Sequence, residues 1–66
     1  MRITFKRVDD FTWEAQEGNL TAEIVHEYFG SYDPYVLYID GRRIWSYDKL
    51  NEARRAGKEE LARRVG

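Results

Sequence analysis

Apolar and polar residues alternate through the first part of the chain. In residues 2–8, Ile3 and Phe5 fall on one side of an extended chain, and residues 11–16 alternate in the same way. A period of two residues is typical of a half-buried β-strand, so both segments are predicted strands. Residues rich in Asp, Gly and Asn follow each of them, which predicts turns at residues 9–10 and 17–19.

Three further strands are predicted in the middle of the chain, and the last two of them form a tight hairpin. Residues 20–29 fit a longer strand, with a helix as the alternative, because β-branched and aromatic residues favour the strand. Residues 30–34 form a loop, since the residue before a proline avoids helix. Residues 35–39 and 42–45 flank an Asp-Gly pair, and that dipeptide between apolar runs predicts a two-residue type I′ turn.

The last third of the chain changes to a helical period. Apolar or small residues recur at helical spacing at Leu50, Ala53, Gly57, Leu61 and Val65, which predicts a helix over about residues 47–64. The predicted N-cap is Ser46, with Trp45 and Leu50 as a hydrophobic staple, or alternatively Asp48. Gly57 lies inside the apolar stripe, where a missing side chain allows a close approach to the sheet.

Together these elements predict a single α+β domain over residues 1–66. Its architecture is an antiparallel β-meander of four to five strands with one C-terminal α-helix packed on one face. The 66 residues include no cysteine, which excludes disulfides and fits a cytoplasmic location. No apolar run approaches the roughly 20 residues of a membrane span, so we expect no membrane contact.

The formal net charge of -1 conceals a segregated charge pattern. Between Arg7 and Arg42 there is no lysine or arginine, and eight acids occupy that stretch, whereas residues 42–66 carry eight bases and four acids. Charge distribution selects partners and steers encounters, so this asymmetry is the strongest functional clue in the sequence. An acidic middle also permits a nucleic-acid mimic, although a pI near 5.8 opposes that interpretation.

No catalytic constellation can be assembled from these residues. His26 is the only side chain poised to titrate near neutral pH, and its place on the same strand face as Ile24 predicts a partly buried structural imidazole. Phosphate loops, dinucleotide fingerprints and calcium loops are missing from the sequence. We therefore expect no enzyme activity, no cofactor, no metal site and no small-molecule substrate.

Protein binding is the interpretation that the composition favours. Ten aromatic side chains supply a small core with large side chains, or leave some rings exposed as an interaction patch, and both can hold because a single helix covers only one face of the sheet. Tyrosine beside isolated charges is typical of interfaces. The candidate contact residues are Glu23, Glu27, Tyr28, Phe29, Tyr32, Tyr35 and Tyr38. A homodimer through an unpaired sheet edge is compatible with this interpretation.

Nucleic-acid binding is the alternative. Basic residues cluster in the last third of the chain, and phosphate contacts require several of them on one side. The candidate residues are Arg42, Arg43, Arg54, Arg55 and Lys58. The acids of the sheet segments would repel phosphate, so nucleic acid is the less favoured partner.

Residues 35–53, from Tyr35 through the Asp-Gly turn to Leu50, Glu52 and Ala53, resemble the ending of small uncharacterised orphan proteins of bacteriophages and actinobacteria. In those proteins a hairpin leads through an aromatic residue and a Leu-x-Glu-Ala start into a terminal helix. A more distant similarity is to the arm-type DNA-binding domains of phage integrases, from which the acidic sheet departs. The resemblance implies an origin more than an activity. Combined with the protein-binding interpretation, it leads us to expect a phage-encoded modulator or inhibitor of a host protein, located in the host cytoplasm.

Overall fold

A five-stranded antiparallel sheet carries one helix on one of its faces. The computed structural model describes residues 3–27 and 32–65. The elements are β1 (Lys6–Asp9), β2 (Thr12–Glu17), β3 (Leu20–His26), β4 (Tyr35–Ile39), β5 (Arg42–Tyr47) and α1 (Leu50–Val65). The strands lie in chain order, and each is antiparallel to the next. The predicted α+β meander with a C-terminal helix is therefore confirmed.

The N-terminal strand is shorter than the alternation predicted. Pairing with β2 begins at Lys6 rather than near residue 2, although Ile3 and Phe5 still pack against the core. The alternation of residues 3–5 therefore reflects packing against the core and not pairing with β2. The strand predicted over residues 20–29 ends at His26 in the structure. The last two positions of that prediction, 28 and 29, lie outside the described residues.

The junction between β5 and α1 also differs from the sequence prediction. Tyr47 pairs with Tyr35, which extends β5 two residues beyond the predicted end and moves the helix start from residue 47 to Leu50. Ser46 lies inside β5 opposite Val36, so its prediction as the N-cap is wrong. The amide of Ala53 donates to the carbonyl of Lys49 at 3.2 Å, which begins the ladder of α1.

The turns follow the sequence closely. Asp40 and Gly41 both have positive φ, 50° and 82°, as a type I′ turn requires, so the predicted hairpin is confirmed. Gly18 has φ 61° in the turn between β2 and β3. After β1, the carboxylate of Asp9 accepts from the amide of Phe11 at 2.8 Å, closing the turn that the paired aspartates predicted.

The hydrophobic core lies between α1 and one face of the sheet. Ala22, Ile24 and Leu37 are fully buried there against Ala53 and Leu61 of the helix. Successive side chains of a strand point to opposite faces, so the residues between these core positions lie on the far side of the sheet. We call that far side, opposite α1, the open face.

Gly57 places the helix close to the sheet. A Cβ atom built on Gly57 would lie 2.5 Å from Cζ of Phe5, 2.9 Å from its Cε2 and 3.3 Å from Cδ1 of Leu37. Real Cβ atoms do not approach other atoms to 2.5 Å, so only glycine fits this position without movement of its neighbours. The close approach predicted from the apolar stripe is thereby confirmed.

Candidate functional site

The open face carries one row of charged and aromatic side chains across all five strands. The register places Lys6 opposite Glu14, Glu14 opposite Glu23, Glu23 opposite Tyr38 and Tyr38 opposite Arg43. Adjacent strands lie about 4.8 Å apart, so the row extends over about 19 Å. It presents two carboxylates and a phenol in its centre, with one cation at each end.

Tyr38 is held across the open face by a hydrogen bond. Its hydroxyl donates to Oε2 of Glu27 at 2.8 Å. The bond spans the neighbouring cross-strand pair of Val25 and Val36. Val36 is only 4% exposed. The hydrogen bond to Glu27 raises the pKa of Tyr38 above its usual value, and burial and the Glu27 charge raise it further, against a smaller lowering by Arg43.

We expect the Tyr38→Phe variant to lose less free energy of unfolding than the wild-type chain when the pH rises above about 10. Because the folded-state pKa of Tyr38 is raised, its stabilising contribution is complete below about pH 10 and is lost as the pH rises through the folded-state pKa. At pH 7 the substitution removes one hydrogen bond, which costs about 1 kcal/mol. The difference in free energy of unfolding between the two proteins should therefore narrow above pH 10. Urea unfolding from pH 7 to pH 11 measures it, and a constant difference contradicts the assignment.

Glu14 and Glu23 face each other directly across β2 and β3. Both are half-buried, and like charges in such a pair destabilise a sheet. Within residues 3–27 and 32–65, no lysine or arginine lies within 4.0 Å of Glu14, Glu23 or Glu27. The three carboxylates of the open face thus form no ion pair within the described residues, and the nearest cation in the register is Lys6, the cross-strand neighbour of Glu14 on its other side.

The predicted contact residues are only partly brought together. Glu23, Glu27 and Tyr38 share the open face. Tyr35 lies on the opposite face, because it packs against the core beside α1. Tyr32 follows β3 and is 95% exposed. Tyr28 and Phe29 lie outside the described residues.

An aromatic cluster on the helix side of the sheet was not predicted. The ring of His26 stacks on Tyr35 with centroids 4.6 Å apart and on Phe11 at 6.4 Å. Trp13 meets Tyr35 edge to face at 6.0 Å. His26 is half-buried, as predicted. Alternation placed His26 on the core side, but only the register of β3 with β4 brings Tyr35 beside it.

The five basic residues predicted for nucleic acid lie on three separate surfaces. Arg43 ends the open-face row. Arg42 lies beside Ile39 and Asp40 at the turn between β4 and β5. Arg54, Arg55 and Lys58 line one depression on α1. No single phosphate-binding surface therefore includes all five.

Neither a group of metal-ligating side chains nor a membrane-spanning helix occurs in the described part of the chain. No group of three or more His, Cys, Asp or Glu residues there could hold a metal ion. Among the residues described, no helix has the length and apolar character needed to cross a membrane.

Comparisons with protein-family models, curated proteins and solved structures gave no match to this chain. The resemblance of residues 35–53 to phage and actinobacterial proteins therefore stays a prediction.

Proposed function

We propose that this chain is a small non-enzymatic protein-binding module whose open face docks a basic surface of a partner protein. Glu23 and Glu27, with Glu14 beside them, contact lysine or arginine side chains of the partner, and Tyr38 supplies the aromatic contact. By occupying a basic site, the module blocks the other ligands of that site, as a modulator or inhibitor does.

The observation that carries this proposal is the pair of opposed carboxylates. A sheet is destabilised when Glu14 and Glu23 face each other without a cation, and a partner cation between them removes that repulsion. The phenol of Tyr38 lies in the same row and is already fixed by Glu27, so little conformational entropy is lost when it is covered. Tyrosine anchors surrounded by polar contacts are typical of binding hot spots.

The charge of the open face also favours protein over nucleic acid as its partner. Single-strand readers combine aromatic side chains with basic grooves, whereas this row has carboxylates in its centre. A phosphate backbone laid along the row would have to pass over Glu14 and Glu23, which lie between the two terminal cations.

The test compares capture of partner proteins by open-face variants and by the wild-type chain. We expect Tyr38→Ala and Glu23→Gln each to weaken binding of a protein captured from nuclease-treated lysate by about tenfold, or roughly 1.4 kcal/mol. The affinity is then measured by titration calorimetry with the purified partner. Higher salt should weaken the interaction, because the contacts join opposite charges.

The matched control is Glu52→Gln, which removes the same charge from an exposed position on α1. A partner whose affinity falls with the open-face variants and not with Glu52→Gln supports the proposal. A partner that binds all variants equally contradicts it. Tyr32→Ala tests separately whether the exposed ring beyond β3 belongs to the same contact.

A further inference from the structure

A shallow depression on α1 combines donor side chains from two successive turns. It is lined by Asn51, Arg54, Arg55, Lys58 and Glu59. Residues three, four and seven positions apart lie on one side of a helix, so the amide and the three cations face the same space. This surface is separate from the open face, because α1 packs on the other side of the sheet.

The three cations of the depression are not neutralised within the described part of the chain. No carboxylate of residues 3–27 and 32–65 lies within 4.0 Å of Arg54, Arg55 or Lys58. Other arginines of the chain behave differently, since Arg63 and Arg64 both pair with Glu60. The positive charge of the depression is therefore left for a ligand.

Arg54 is the most enclosed of the three cations in the depression. The residue is half-buried, and its Nε is buried without an acceptor in the described structure. A buried donor left without an acceptor costs about 1–3 kcal/mol. An arginine whose stem is packed loses less rotamer freedom on binding, and its guanidinium matches the geometry of phosphate oxygens.

Glu59 is the one acidic residue that lines the depression. Its carboxylate also acts on Tyr47, since burial raises the pKa of that phenol and the charges of Glu60 and Glu59 raise it further. Tyr47 belongs to a neighbouring surface with Trp45 and Glu52. Glu59 thus lines both the depression and the neighbouring surface, and its charge opposes an anion bound in the depression.

We propose that this depression binds phosphate groups, with Arg54, Arg55 and Lys58 as the cationic donors and the amide of Asn51 as a neutral donor. Three cations match a ligand with two or three negative charges better than a ligand with one negative charge. Two adjacent phosphates should therefore bind more tightly than a single phosphate. A phosphodiester chain and a free polyphosphate present the same chemistry. This inference does not depend on the protein-binding role of the open face.

The experiment titrates the intact chain with inorganic pyrophosphate and, separately, with a fluorescent 12-nucleotide single-stranded DNA. We expect both to shift the backbone amide resonances of residues 51–58 at millimolar or lower concentration. The affinity for DNA should fall as the salt concentration rises. A plot of the logarithm of the binding constant against the logarithm of the salt concentration should have a slope of about -2, as three phosphate contacts on a single strand imply. Absence of shifts with both ligands overturns the proposal.

Four variants locate the site. Arg54→Gln and Arg55→Gln should each weaken binding about tenfold, and the second residue is exposed, so its loss is not a folding effect. Glu59→Gln should tighten binding about twofold by removing a repulsive charge. Arg63→Gln removes the same charge outside the depression and should leave affinity unchanged. If Arg63→Gln weakens binding as much as Arg54→Gln does, the ligands are attracted by the net charge of the chain alone, and the proposal is overturned.

The two ligands distinguish the sources of phosphate. The depression is assigned to a phosphodiester chain if DNA binds at least tenfold more tightly than pyrophosphate and Arg54→Gln weakens that binding as expected. Pyrophosphate binding equal to or tighter than DNA assigns it to a free phosphate compound. Both outcomes support the site, whatever the open face binds.

Discussion

Leu61→Ala is expected to remove most of the stability of this chain. Leu61 is fully buried, and the other two buried residues of α1 are Ala53 and Gly57, which contribute little apolar area. Truncating a buried leucine to alanine costs about 2–5 kcal/mol through lost burial and the cavity left behind. A core of this size supplies only about 3–5 kcal/mol of net stability. Urea unfolding monitored by circular dichroism measures the loss.

Val65→Ala is the matched control for that experiment. Val65 lies one turn further along α1 and is 38% exposed, so its truncation should cost less than about 1 kcal/mol. If Leu61→Ala costs no more than Val65→Ala, α1 is held to the sheet by something other than this one side chain. The expected contrast follows from the narrow apolar stripe of the helix.

Gly57→Ala is expected to destabilise the chain even though alanine is the better helix former. The gain in helix propensity is about 1 kcal/mol, whereas overpacking a core costs about 1–3 kcal/mol. The new methyl group would lie 2.5 Å from Cζ of Phe5. Phe5 is 8% exposed and Leu37 is fully buried, so neither can move without opening the packing around it. We expect a net loss of up to about 2 kcal/mol.

The sign of this effect should reverse when Phe5 is shortened. Phe5→Leu removes the two ring atoms that the methyl group would strike, so in that background Gly57→Ala should gain up to about 1 kcal/mol from helix propensity. Ala62→Gly, on the exposed side of α1, should cost about 1 kcal/mol in both backgrounds. Stabilisation by Gly57→Ala in the wild-type chain contradicts the close approach.

The fold was largely predictable because local patterns agree with one another. Alternation marked the strands, and the Asp-Gly dipeptide required positive φ at both Asp40 and Gly41. The segment ends were less predictable. Whether Tyr47 extends β5 or begins the helix depends on its pairing with Tyr35, which is a long-range contact that no local pattern encodes.

The candidate site was predicted only in part for the same reason. Alternation correctly grouped Glu23 with Glu27 on one side of β3, but it does not say which strand lies beside them or in which register. The opposition of Glu14 and Glu23, which carries the proposed function, exists only because the turn at Gly18 aligns β2 with β3. The aromatic cluster around His26 likewise depends on register.

The sequence by itself determined the element types, the two tight turns and the face on which each strand residue lies. These depend on backbone sterics and on the two-residue and 3.6-residue periods, which act within a few neighbouring residues. Only the tertiary structure decided which carboxylates face each other, which cations stay unpaired and how closely α1 approaches the sheet. Those properties depend on distances between residues far apart in the chain, and packing of the whole domain sets them.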